Sequence, residues 1–307
     1  MKVTLGQSSN VGPAVVSVPN LGTIIAWMGG GTALILMLST DGVNFQAPVD
    51  TGQRTPVAPS LTTLNGRAFV AWMGDVNGWV NVAEISVARD QNGVPFIQGL
   101  MPNIQTLQAS TNTTPGLGTY GTQLVIAFAI YTGPPNAQPI QIMWTGDIIA
   151  NPNNLGFAGP YNLLDQAGGG KEYTGTGLQM TGTQTRGAFL GWVGFGNQDV
   201  SIVSLPVNGN NGSNVTGTSK TSLFALTGCQ VGLTSKNDVL YMAFKVFGGN
   251  DIYIAPEASW AAWPNGVVDT HEGTDFTPSL GVVSDNSAIL LTWSGTGNHS
   301  LNIETFP

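Results

Sequence analysis

Only 8% of the 307 residues are charged, with 9 lysines and arginines against 17 aspartates and glutamates and a net charge of −8. So few basic residues cannot build the positive track that binds nucleic-acid phosphates or an anionic membrane surface, and no apolar run reaches the roughly 18 residues of a membrane-spanning helix. The single cysteine, Cys229, excludes an internal disulfide framework and a cysteine-based zinc cluster.

An apolar run that ends in an aromatic residue recurs six times, at intervals of about 45 to 65 residues. A Gly/Asn/Asp turn and another strand-like run follow each aromatic residue. No stretch shows helical periodicity long enough to compete. The six runs are Ile24 to Gly29, Phe69 to Gly74, Val125 to Phe128, Phe189 to Gly194, Tyr241 to Phe244 and Leu290 to Gly295.

A small residue precedes each aromatic residue and opens a further apolar stretch, so each unit contains about four short strands. Consecutive apolar residues indicate sheets that are covered on both faces, and small residues suit an innermost strand where blades converge. The sequence therefore predicts an all-β, six-bladed β-propeller of four-stranded antiparallel blades. The six small residues are Ala14, Ser60, Gly116, Gly177, Gly232 and Ser279.

The last unit lacks an outer strand, whereas Lys2 to Leu5 precede the first unit as an outer strand would. We expect the N-terminal strand to complete the sixth blade and to remove two open edges. The chain is then a single domain, residues 1–307. Its predicted repeat units are approximately 6–48, 49–99, 100–160, 161–217, 218–263, and 264–307 with 1–5.

Residues Ser39 to Phe45, Ser-Thr-Asp-Gly-Val-Asn-Phe, match the Asp-box pattern S-x-D-G-x-x-[FW]. The repeats therefore resemble those of bacterial Asp-box and sialidase-like propeller proteins, and Val87 to Phe96 and Thr145 to Phe157 are lengthened, degenerate versions. The resemblance implies a propeller in which the box lies on the face away from the active site.

The loops after each second strand and before each first strand should open on one face around the axis. Polar groups that could ring the axis there include both histidines of this charge-poor chain. The alternative is that these loops are simply solvated. The candidate ligand-binding residues are Arg54, Asp75, Tyr131, Glu172, Tyr173, His271, Glu272 and His299.

Three kinds of site could be built on this face from these residues. A sialidase-like arginine triad cannot form, because only Arg54 lies on it, but a glycosidase of neutral sugars needs only two carboxylates about 5–10 Å apart. Glu172, Glu272, Asp75 or Asp275 could supply that pair. A metal site would use His271, Glu272, Asp275 and His299, but they form no recognisable metal motif, so we expect neither a metal nor another cofactor.

Glycan binding requires the fewest specialised residues of the three, because exposed aromatic faces stack on sugar rings and polar groups bind sugar hydroxyls. Exposed candidates are Trp79, Tyr131, Tyr173, Trp260 and Trp263, whereas the recurring aromatics are predicted to be inter-blade core. The favoured function is non-catalytic binding of a glycan or cell-surface polymer, without nucleic acid or membrane insertion. The alternatives are a glycoside hydrolase and a structural or assembly protein.

The first residues contain no apolar core of a signal peptide, so the export route stays open. An extracellular or cell-surface location is favoured. Ligand identity and oligomeric state are not predicted.

Overall fold

A computed structural model of the chain describes residues 2–131, 138–165, 169–205, 210–211, 214–223, 230–262, 266–283 and 285–307. Within these ranges the strands form six sheets, which confirms the predicted six-bladed β-propeller. The helices described are two short 3-10 helices, Gly30–Thr32 and Glu257–Ala262. None of the helices in these ranges is long and apolar enough to cross a membrane. Cys229 and Trp263 lie outside the described residues.

Each blade consists of four strands that we count outward from the axis, and the six first strands contact one another around it. Blade 1 contains β2 (Ala14–Val18), β3 (Gly22–Met28), β4 (Ala33–Ser39) and β5 (Val49–Arg54). Blade 2 contains β6 (Ser60–Leu64), β7 (Arg67–Met73), β8 (Trp79–Arg89) and β10 (Gln105–Ser110), and β9 (Pro95–Leu100) pairs with the far end of β8. Blade 3 contains β11 (Gly116–Tyr120), β12 (Gln123–Ala129), β13 (Gln138–Thr145) and β14 (Phe157–Leu164).

Blade 4 contains β16 (Gln179–Gly182), β17 (Ala188–Val193), β18 (Val200–Leu205) and β21 (Thr218–Leu223). Blade 5 contains β22 (Gly232–Lys236), β23 (Val239–Lys245), β24 (Asp251–Pro256) and β25 (Val268–Gly273). Blade 6 contains β26 (Ser279–Val282), β27 (Ile289–Ser294), β28 (Ser300–Phe306) and β1 (Lys2–Ser8). Three short strands, β15 (Tyr173–Thr174), β19 (Asn210–Asn211) and β20 (Asn214–Thr216), extend the sheet of blade 3.

The N-terminal strand β1 pairs antiparallel with β28, with Lys2 opposite Glu304 and Val3 opposite Ile303. The predicted closure of blade 6 is therefore confirmed. The same pairing shows that a sequence repeat and a blade are offset by one strand. Each predicted repeat unit after the first begins near, or within, the outer strand of the blade before it.

The hydrophobic core lies between blades rather than inside one, as six buried clusters, each between two neighbouring blades. This explains the consecutive apolar residues, because both faces of every sheet are covered. Each recurring aromatic residue is at most 1% exposed and packs against the preceding blade, so the core assignment is confirmed. These residues are Trp27, Trp72, Phe128, Trp192, Phe244 and Trp293.

The first strands are crowded at the axis, as predicted from their small residues. A Cβ at Gly232 would lie 2.7 Å from the carbonyl oxygen of Pro278 in the next blade. The prediction is wrong in blade 4, where strand pairing places Gln179, not Gly177, at the position of Gly232. Gly177 belongs to the loop that leads into the blade. Gln179 lies 13 residues before Trp192, as Ala14 does before Trp27, but it is not a small residue, so the small-residue pattern pointed to Gly177 instead.

Asp41 organises the turn that follows β4. Its Oδ1 accepts hydrogen bonds from the amides of Val43 and Asn44 at 2.9 and 2.7 Å and from the Ser39 hydroxyl at 2.9 Å. These donors hold the pKa of the Asp41 carboxyl far below its usual value. Asp147 accepts the amides of Ile149 and Ala150 in the corresponding turn of blade 3, both at 2.9 Å.

We expect Asp41→Asn to lower the free energy of unfolding at pH 6 and to lose this effect as the solution is acidified. Because folding depresses the Asp41 pKa, its contribution is fully present above the unfolded pKa of about 4 and disappears as the pH falls through the folded value. Urea unfolding of both proteins between pH 6 and pH 2 measures the difference. A difference independent of pH would contradict the assignment.

Candidate functional site

The propeller has two unlike faces. One face, which we call the loop face, carries the loops from second to third strands and those from each fourth strand into the next blade. The other, the turn face, carries the turns between first and second and between third and fourth strands. Arg67 begins β7 on the turn face and binds Glu84, and Arg186 lies in the β16–β17 turn on the same face and binds Glu257. Neither is therefore available for an arginine cluster on the loop face.

In the part of the chain that the structure describes, the loops into blades 1, 2, 3, 4 and 6 share a motif that was not predicted from the sequence. A buried Ser or Thr stands five residues before the first paired residue of the inner strand, and its hydroxyl accepts the amide two residues later at 3.0–3.4 Å. Such turns fix the loops that surround the axis. The described members are Ser9, Thr55, Thr111, Thr174 and Thr274.

These loops enclose a cavity of about 280 Å³ at the loop-face end of the axis, which we call the axial mouth. Gln230, which is buried, donates through Nε2 to the carbonyl oxygen of Leu178 at 3.0 Å. Gly177 makes room for it, because a Cβ there would lie 2.0 Å from the Gln230 Oε1. Among the described residues that line the mouth, Asp275 is the one carboxylate. The lining residues are Val11, Gly12, Pro56, Val57, Ala58, Asn112, Thr113, Thr114, Gly177, Gln230, Asp275, Phe276 and Thr277.

The cavities continue along the axis. About 170 Å³ lies between the first strands, and about 380 Å³ opens at the turn face, lined largely by hydroxyl and amide side chains. Asp238 lies at the turn-face opening, where its carboxylate accepts the Gln184 amide and the Thr185 hydroxyl.

His299 and Asp275 are brought together beside the axial mouth. The His299 Nε2 lies 3.6 Å from the Asp275 Oδ2, and Nδ1 lies 2.7 Å from the Asn10 Oδ1. His299 has a φ of 54° at the turn position that Gly78 holds in blade 2, so its backbone is in a region that disfavours side chains. The cluster joins the two loops on either side of blade 6.

Glu172 and Glu272 do not reach the axial mouth. The Lys220 Nζ contacts Glu172 at 2.5 Å, and the Lys2 Nζ contacts Glu272 at 2.5 Å. Each lysine belongs to the outer strand of the next blade and lies over the core tryptophan of that blade, 5.4 Å from the Trp192 ring and 5.3 Å from the Trp293 ring. Two equivalent inter-blade ion pairs therefore hold the glutamates that the sequence offered as catalytic carboxylates.

Arg54, His271 and Glu272 lie in outer strands, not in loops as predicted. Arg54 pairs with Asp50 at 3.2 Å, and the exposed His271 lies 3.6 Å from Asp269. Both stretches share an Asp-Thr-x bulge in which the aspartate accepts the amide two residues later at 2.8 Å. The bulge lengthens the fourth strand toward the loop face, which the sequence pattern did not reveal.

Asp75, Tyr131 and Tyr173 lie on the loop face as expected. The Thr32 hydroxyl donates to Asp75 at 3.1 Å, and both tyrosine side chains are exposed. The His271, Glu272, Asp275 and His299 set is divided between an outer strand and the mouth. No group of three or more metal-ligating side chains is found in the part of the chain that the structure describes.

Exposed aromatic side chains are concentrated on the loop face. Of the six in the described ranges, only Phe96 lies toward the turn face; the other five are Trp79, Tyr131, Tyr173, Phe195 and Phe247. Phe195 and Phe247 were not among the aromatic residues predicted from the sequence to be exposed. Trp260 was predicted to be exposed, but it is buried and donates through Nε1 to the Ala255 carbonyl.

A further cavity of about 300 Å³ lies beside Phe195, where small residues leave room next to the ring. Its lining residues are Gly175, Thr176, Val193, Gly194, Phe195, Gly196 and Gln198.

Family models and curated protein sequences provide no match to this chain. Solved structures share its fold at low identity. A Penicillium chrysogenum α-L-arabinanase complexed with arabinobiose is 12% identical with a TM-score of 0.63, over 99% of this chain and 97% of that one. A fucose-specific lectin from Aleuria aurantia is 10% identical with a TM-score of 0.64, over 100% and 94%.

A Trypanosoma rangeli sialidase is 10% identical with a TM-score of 0.59, over 98% of this chain but only 55% of that one. These similarities show the propeller fold.

Proposed function

We propose that this chain is a non-catalytic carbohydrate-binding propeller whose loop face binds a neutral glycan or cell-surface polymer. The observation that carries the proposal is the concentration of exposed aromatic side chains on that face, where five of six are found. Aromatic faces stack on the C–H surfaces of sugar rings, and exposing them to water is otherwise unfavourable. An extracellular or cell-surface location fits such a ligand.

The axial mouth supplies the complementary polar groups. Gln230, Asn112 and Thr113 offer amide and hydroxyl groups of the kind that bind sugar hydroxyls. Asp275 is the charged residue among its described lining, and the whole chain has a net charge of −8. The described lining contains no lysine or arginine to bind an anionic group, so a neutral sugar fits best.

Hydrolysis has less support. A glycosidase needs two carboxylates about 5–10 Å apart, one of them free to donate a proton. Glu172 and Glu272 are held by lysines, and the described lining of the mouth contains one carboxylate. Arabinanase, sialidase and lectin all occur on this fold, which supports a sugar ligand without choosing between binding and turnover.

A glycan array followed by hydrolysis assays tests the proposal. We expect binding to neutral glycans and no release of sugar from aryl-glycosides or arabino-oligosaccharides. Turnover that is lost in Asp275→Asn, Glu172→Gln or Glu272→Gln, each shown to be folded, would overturn it in favour of the hydrolase. Silence in both assays would leave the structural or assembly role.

A further inference from the structure

Three of the exposed aromatic residues occupy equivalent positions in consecutive blades. Tyr131, Phe195 and Phe247 each stand three residues after the core aromatic residue of blades 3, 4 and 5, and they are 47, 45 and 57% exposed. Blades 6, 1 and 2 carry non-aromatic residues at this position. Those residues are Thr296, Gly30 and Asp75.

Two more aromatic residues flank this series. Trp79 pairs with Ser110, whose carbonyl accepts the Tyr131 amide at 3.1 Å. The Tyr173 carbonyl likewise lies 3.5 Å from the Phe195 amide. The five residues therefore follow one another over blades 2 to 5, and we call them the aromatic arc.

The arc is separate from the packing of the fold. The core aromatics Phe128, Trp192 and Phe244 already fill the spaces between these blades, so Tyr131, Phe195 and Phe247 extend past a complete core. The cavity beside Phe195 lies at the middle of the arc and is lined by uncharged residues. It offers room for a ring against the Phe195 face.

We propose that the ligand is a linear, neutral oligosaccharide or polysaccharide that runs along the aromatic arc, with different sugars of one chain on Tyr131, Phe195 and Phe247. The inference rests on the proposed carbohydrate-binding function and specifies its ligand as a chain rather than a terminal sugar. A single sugar covers one ring and gains little over the cost of association. An oligosaccharide with one sugar bound to one aromatic side chain keeps its other sugars near the remaining aromatic side chains at high effective concentration. Its affinity therefore rises with its length.

Calorimetric titration with length series tests this directly. The probes are cello-, xylo-, malto- and arabino-oligosaccharides of one to six sugars. In the series that binds, we expect Kd to fall at least about tenfold between the monosaccharide and the hexasaccharide, which is about 1.4 kcal/mol.

Equal affinity for the monosaccharide and the hexasaccharide would overturn the proposal of an extended oligosaccharide and leave carbohydrate binding intact. No binding in any series, with a blank glycan array, would overturn both, and capture of a protein by the arc would favour a protein partner instead.

Substitutions in the arc separate it from the axial mouth. Phe195→Ala should weaken hexasaccharide binding about tenfold and flatten the dependence on length, since it removes the middle contact. Phe96→Ala is the matched control, because Phe96 is exposed on the other side of the molecule. Hexasaccharide affinity unchanged in Phe195→Ala, or lowered equally by Phe96→Ala, would contradict the arc.

Thr296→Tyr provides a gain-of-function test, so its expected result cannot arise from loss of folding. Thr296 is exposed and holds the equivalent position in blade 6, next to the Phe247 end of the arc. We expect the added ring to strengthen binding of the hexasaccharide and to leave the monosaccharide unchanged. An equal gain in affinity for the monosaccharide and the hexasaccharide, or no gain for the hexasaccharide, would mean that the oligosaccharide does not bind along the arc.

Discussion

Deletion of residues 1–8 is expected to abolish cooperative folding of the propeller. The deletion removes the outer strand β1 of blade 6 and leaves β28 with an open edge. Leu5 and Val3 pack in the cluster between blades 6 and 1, and burying such a side chain contributes about 1.5–3 kcal/mol. The Lys2 contact with Glu272 of blade 5 is also lost. Against a total stability of roughly 5–15 kcal/mol, these losses are large.

Thermal unfolding followed by circular dichroism measures the effect. The matched control is a circular permutant that begins at Pro13 and carries residues 2–12 after Pro307 through a short linker. Lys2 lies opposite Glu304, so the linker closes an ordinary hairpin and the strand is kept. We expect the permutant to fold while the deletion does not. A stable deletion variant would show that three strands suffice for blade 6.

The fold was predictable because its repeat is local. A buried run, a core aromatic residue and a turn lie within one unit, and six copies reveal the architecture even where single copies are weak. Closure could also be predicted, since a missing last strand and a spare first strand are both visible in the sequence. The register of blade 4 was not, because Gln179, which lies 13 residues before Trp192 as Ala14 does before Trp27, is not a small residue and the small Gly177 stands two positions earlier.

The roles of the charged residues could not be predicted. Glu172 and Lys220 are 48 positions apart, and Lys2 and Glu272 are 270 apart, so their pairing depends on how neighbouring blades are spaced. The scarcity of charge suggested a functional cluster. In the structure, both glutamates instead hold neighbouring blades together, and of the predicted groups His299 and Asp275 meet beside the axial mouth.

The aromatic arc, in contrast, could have been found from the sequence. Counting three residues from each core aromatic residue selects Tyr131, Phe195 and Phe247 without coordinates. Trp79, Tyr131 and Tyr173 were predicted from the sequence as exposed aromatic candidates, but the repeat position that adds Phe195 and Phe247 was not recognised. What sequence alone does not give is their exposure, because an aromatic residue outside the strands can equally be buried, as Trp260 is in the 3-10 helix.

The second large effect is expected for Trp192→Ala, which should lower the free energy of unfolding by about 3–5 kcal/mol. Trp192 is 1% exposed and belongs to the buried cluster between blades 3 and 4, which also contains Ile140 and Ile142. The Lys220 Nζ lies 5.4 Å from its ring and contacts Glu172 of blade 3. Truncation therefore leaves a cavity and removes the surface that supports an inter-blade ion pair. Urea unfolding measures the loss.

Two comparisons separate the cavity from the ion pair. Trp192→Phe should cost clearly less than Trp192→Ala, because Phe128 and Phe244 fill the same position in blades 3 and 5. Trp72→Ala creates a comparable cavity in blade 2, where the described residues place no cation over the ring. We expect Trp192→Ala to lower the free energy of unfolding more than Trp72→Ala does. The two substitutions should have equal effects when each is made in the Lys220→Met background. If the excess persists without Lys220, the lysine does not couple the two blades through Trp192, and the difference reflects packing alone.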